Sequence, residues 1–132
     1  MSRGLLITLV LGIGIVFAST AALAHHAISA EFDSNRPVTF TGKLVKIDWL
    51  NPHSYFHVEV EQEDGTTITY KVEGGPPNSM YRNGWRPDSY ELGIEVTFDG
   101  IGARNAESTN VNGPLVDPEG NRMFSGRGPA AQ

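Results

Sequence analysis

The chemistry open to this chain lies with four histidines, because it contains no cysteine. Disulfide, thiol-catalytic and zinc-thiolate readings fall together on that count. Two of the histidines are adjacent, His25-His26, and two lie four residues apart in Asn51-Pro52-His53-Ser54-Tyr55-Phe56-His57. If a leader ends at Ala24, the mature chain begins at His25, and a free α-amine shares a residue with an imidazole. Both are nitrogen donors that copper(II) or nickel(II) prefers in a tetragonal arrangement. A third nitrogen from another histidine would complete the histidine brace used by copper monooxygenases of polysaccharides and by some copper carriers. His53, at a turn, is the candidate third donor, so the expected metal set is His25, His26 and His53 with copper. Cleavage after Ala22 would instead place His25 third, another copper-binding terminus. His53 and His57 share a strand face, but four residues at roughly 3.3 Å each separate them by about 13 Å, so one ion cannot take both. The plainer alternatives are a frayed terminus for His25-His26, a turn-holding hydrogen bond for His53 and a surface position for His57.

Flat aromatic side chains offer a different use. Trp49, Tyr55 and Trp85 are candidates to line a groove, with Tyr81 near them, because each presents an apolar face with one polar handle. On that reading the protein is a metal-free binding module for a small apolar ligand or a partner protein. Against it, Trp49 continues a core pattern and Trp85 is placed to cap one end of a barrel. The carboxylates Glu31, Asp33, Asp48 and Glu73 have no spacing that pairs them as acid and base. There is no nucleophile elbow and no phosphate loop. No catalytic residue is assigned, and an enzyme is the weakest reading.

The segment that must expose His25 is residues 1–24. One positive charge at Arg3 precedes an uncharged run from Leu5 to Ala24, closing on Ala22-Leu23-Ala24 in the A-x-A spacing of a secretory cleavage site. The rival is an uncleaved anchor, since about 20 uncharged residues can span a bilayer. A periplasmic or secreted protein with no stable membrane span after cleavage is the expectation. About 108 residues then remain, enough for one core without staples. Of ten basic residues Arg3 leaves with the leader, and fifteen acidic residues give the mature chain a net charge of about −6. A nucleic-acid partner is disfavoured, because backbone binding needs a concentrated basic face that Lys43, Lys46 and Lys71 do not suggest.

Strand patterning fills residues 25–125. From Pro37 to Leu50 apolar residues alternate but change phase near Gly42, which predicts a bulge or bend there. Asn51-Pro52 breaks the strand. A second strand, His53 to Glu61, sets Ser54, Phe56, Val58 and Val60 on the core face, and Asp64-Gly65 turns the chain into a third, Thr66 to Val72. Prolines 76 and 77 open a short helix that Asn83-Gly84 stops. A fourth strand covers Ile94 to Phe98, and Leu115-Val116 can pair with Arg122-Met123-Phe124 as a last hairpin. Residues 126–132 are expected to be a flexible tail. Three strands, a helix and one or two more strands predict an all-β fold, a small five-stranded OB-like barrel with one short helix. A small open β-sandwich is the runner-up.

His25-His26, Phe32-Asp33, Gly42, Trp49 with Asn51-Pro52-His53, Asp64-Gly65 and Gly84-Trp85 together resemble a family of small exported bacterial proteins catalogued as a domain of unknown function. The resemblance runs from about His25 to Arg104 and implies export and a small β-barrel, with no reaction. Tyr70 stands where that pattern has tryptophan, and Gly93-Ile94 where it often has Gly-Asp.

Overall fold

The computed structural model describes residues 28–131. The leader, its cleavage point, His25 and His26 lie outside the described residues. Residues 28–31 are helical. The body that begins at Phe32 contains strands β1 (Phe32–Asp48), β2 (Tyr55–Glu61) and β3 (Thr67–Glu73). Helix α1 (Pro77–Arg82) follows, then β4 (Glu95–Ala103), β5 (Asn110–Asn112), β6 (Leu115–Val116) and a 3-10 turn, Pro129–Ala131. Among the described residues no helix is long and apolar enough to cross a membrane.

The sheet runs β1-β2-β3-β5-β4, and β1 pairs with β4 to close a ring of five strands. Every pairing in the ring is antiparallel except β3 with β5. The all-β, OB-like barrel expected from the element order is therefore the fold. β5 is the strand the sequence reading missed: it is three residues long, in a polar stretch, and only Val111 of the three is buried. Periodicity has nothing to report over so short a run. The final hairpin forms as expected, with Val116 bridging Arg122 and the Met123 amide donating to Leu115 O at 2.8 Å.

β1 follows the expected bend with one displacement. The register with β2 slips between Leu44 and Lys46, so the bulge falls at Val45 and not at Gly42. Before it Phe40 and Leu44 face inward; after it Ile47 and Trp49 do, which leaves the charges of Lys46 and Asp48 outside. The glycine has a separate role. A Cβ on Gly42 would stand 2.4 Å from Glu59 O and 2.8 Å from a Val60 methyl, so only glycine lets β1 cross this close to β2.

Inside the ring, Leu44, Val58, Val72, Val96, Phe98 and Val111 are at most 1% exposed. Phe40 stacks between Tyr70 and Phe98 at centroid distances of 4.3 and 4.8 Å, so Tyr70 supplies the flat surface expected of a tryptophan there. One end is closed by α1 and the aromatic group around Phe124. That ring stacks on Phe56 at 4.5 Å and meets Trp85, Tyr90 and Trp49 at 5.4, 5.3 and 5.9 Å. Past the last hairpin, Gly126 O accepts from Trp85 Nε1 at 3.2 Å, and the Gly128 amide donates to Asn83 O.

Gly42→Ala is expected to cost about 1–3 kcal/mol, the scale of overpacking a filled site. Gly75→Ala, whose Cβ would meet nothing nearer than 4.0 Å, should be close to neutral. Urea unfolding of the two variants checks this, and equal stabilities would contradict the close crossing.

Candidate functional site

The loop 49–54 joins β1 to β2, with a cis peptide bond before Pro52, and is anchored by backbone bonds at its far end: Ser54 N to Gly75 O at 3.1 Å and Gly74 N to Ser54 O at 2.8 Å. From there β2 sends Ser54, Phe56 and Val58 inward and His53, Tyr55 and His57 to the outer face. Register then decides which charges meet them. Tyr55 lies opposite Asp48 on one side and Glu73 on the other, and His57 lies opposite Lys46 and Lys71.

The two histidines are held in opposite ways. His53 pairs through Nδ1 with Glu73 Oε1; the histidine side chain is 44% exposed and the carboxylate 10%. A carboxylate can only accept, so Nδ1 carries the proton on the Glu73 side, and Nε2 is the ring nitrogen that Glu73 does not engage. No described residue is hydrogen-bonded to Nε2. His57 instead gives Nε2 to Asp48 Oδ2 at 2.7 Å, in a pair where both side chains are about one fifth exposed. Lys46 Nζ holds the other Asp48 oxygen at 2.7 Å. Lys71 Nζ rests 3.9 Å above the Tyr55 ring. His57 is thereby a bracing residue between β1 and β2, while His53 presents its outer nitrogen at a loop.

Sequence reasoning passed over Glu73 as a partner, although a signal was there. The Asp64-Gly65 turn sets Glu61 opposite Thr67, and counting back along both strands brings Tyr55 opposite Glu73, one step from His53. It also missed Arg36, whose guanidinium donates to Ala103 O at 2.6 Å, Asn105 O at 3.2 Å and Ala106 O at 2.9 Å, fastening the β4–β5 loop to β1.

Trp49 and Trp85 meet the same Phe124 ring, at 5.9 and 5.4 Å. Trp85 is 6% exposed, packed on Tyr90 and Phe124, and caps the barrel end. Trp49 is partly buried, edge-on to Tyr81 at 5.6 Å, and Tyr55 lies on the outer face of β2. Two buried polar atoms in this loop, Trp49 Nε1 and Ser54 Oγ, lack a hydrogen-bond partner among the described residues. Among those same residues no three histidine or carboxylate groups cluster as a metal site.

The sequence matches the family of unknown function DUF6152 over residues 13–112. This is most of the chain, and the protein belongs to that family. No curated protein and no solved structure matches it.

Asp48 sits below its ordinary pKa of 3.8, chiefly because the Lys46 ammonium hydrogen-bonds it and secondly because His57 does, against a smaller opposing effect of burial. A depressed carboxylate stabilises the fold above its unfolded pKa, and the contribution fades as pH falls through the folded value. Asp48→Asn should therefore be less stable than wild type at neutral pH, with the gap closing below pH 3.8. Denaturant unfolding at both pH values reads the difference; a gap independent of pH would assign Asp48 a packing role only.

Proposed function

We propose that this is an exported metal-binding protein that takes copper(II) through its mature amino terminus, His25 and His26, with His53 as a further nitrogen donor. The observation that carries the reading is the His53–Glu73 pair. Metal-bound imidazoles are usually oriented by a carboxylate on the nitrogen away from the ion, which fixes the tautomer and raises the basicity of the ligating nitrogen. Glu73 meets His53 in that manner, and His57, whose Nε2 is engaged, does not share it. The position of His53 supports the reading further: the loop between the first two strands of an OB barrel, together with the β2–β3 face beside it, is a region where such barrels bind ligands.

Within this reading the chain's own residues have separate tasks. Glu73 holds the His53 ring and its proton at Nδ1. The β2–β3 hairpin keeps that pair in register, and cleavage after Ala24 frees the His25 amine. Copper, when bound, would supply a Lewis-acidic and redox-capable centre.

Copper(II) titration of chain 25–132, followed by d–d absorption, tests the proposal. One extra residue before His25 should weaken binding sharply, as should His25→Ala. Glu73→Gln should cost about 10–100-fold, the usual effect of altering a ligand's orienting partner. His57→Ala should change affinity little. If the extended and authentic chains bind alike, the terminal site is wrong. Intact mass of protein from the envelope fraction should lack residues 1–24.

A further inference from the structure

A cavity of about 420 Å³ is lined by Ile47, Pro87, Asp88, Tyr90, Glu91 and Leu92. That is the small end of the ~300–1,000 Å³ range of ligand cavities. Ile47, Pro87, Leu92 and the Tyr90 ring make its apolar wall, and Leu92 is left 60% exposed there.

The charged residues in its lining have one sign. Asp88 and Glu91 stand in the lining. Behind Tyr90, its hydroxyl donates to Asp117 Oδ2 at 3.4 Å. Burial pushes the Tyr90 phenol above its usual pKa, and the charges of Asp117 and Glu119 push it the same way, so the ring stays a neutral phenol in a negative field. Among the described residues none of these four carboxylates is paired with a lysine, arginine or histidine. Arg86, next to the cavity in sequence, is turned elsewhere: its guanidinium lies over Tyr81 and donates to Tyr81 O at 3.1 Å and Trp85 O at 2.7 Å. Asp117 is itself consumed by its own loop, accepting from the Glu119 and Asn121 amides at 3.0 and 2.8 Å.

We propose that this cavity binds a small organic cation, an ammonium group carried on an apolar body. The apolar wall takes the body, Asp88 and Glu91 at the mouth take the charge, and the field of Asp117 and Glu119 excludes anions. A bare metal ion is a poor fit, because no three ligating groups converge among the described residues. The inference stands apart from the metal reading, since it uses no histidine and no terminal residue.

Calorimetric titration of the mature chain with hexylammonium, hexanol and hexanoate at low ionic strength tests it. Hexylammonium should bind more tightly than hexanol by about fivefold, the contribution of one exposed ion pair at its upper end, and hexanoate should bind weakest. Asp88→Asn with Glu91→Gln, both at exposed positions, should remove the preference for the ammonium and leave hexanol unchanged. About 1 M salt, where the Debye length is ~3 Å, should do the same. Methyl chemical shifts of Ile47 and Leu92 should move with the ammonium. Equal affinity for the three probes, no saturable binding of hexylammonium, or a preference that survives the double substitution would each overturn the proposal. Matching circular dichroism and unfolding midpoints for wild type and double variant confirm that the loss is not a folding defect.

Discussion

A single strand closes this barrel, and it must pair on both edges to do so. β1 runs with β4 from Phe32 to Lys43 and with β2 from Lys43 to Asp48, so the two ladders meet at one residue. The crossing works because Gly42 has no Cβ to meet Glu59 O, and because the bulge at Val45 turns the pleat over. With the phase reversed, Ile47 and Trp49 enter the core while Lys46 and Asp48 face water. A one-residue slip would exchange those faces. The direction in which the chain leaves β1, and so the place of the loop carrying His53, follows from that reversal.

The closed end makes its own demand. Phe124 adopts a left-handed backbone, φ 52°, which costs a non-glycine residue of order 1–3 kcal/mol. Four ring contacts, with Phe56, Trp49, Trp85 and Tyr90, offset it. Trp85 in turn holds the tail at Gly126, so the segment after the last hairpin belongs to the cap. Tyr90 links this cap to the acidic cavity, and Phe56 links it to the strand that carries His57 and follows the His53 loop.

Much of this was legible in the residues because it is local. The Asp64-Gly65 hairpin, the proline-started helix and the inward face of β2 each depend on residues within a few positions of one another. What was not legible depends on pairs far apart in the chain. Asn110-Val111-Asn112 becomes a strand only because β3 and β4 offer it edges. The phase change of β1 was visible, but its bulge sits three residues past the glycine that suggested it. The partner of His53 can be counted from the Asp64-Gly65 hairpin, but that of His57 cannot, since the β1 bulge decides which residues meet it. Trp85 is buried against Tyr90 and Phe124 and forms part of the cap.

The central claim is that His53 offers Nε2 to a metal while Glu73 holds Nδ1. Pulsed electron paramagnetic resonance of the copper(II)-loaded chain 25–132 addresses it directly, because an imidazole bound through one nitrogen couples through the remote one. The remote-nitrogen signal assigned to His53 should disappear in His53→Ala and shift in Glu73→Gln, with His57→Ala unchanged. Identical spectra for wild type and His53→Ala would contradict it.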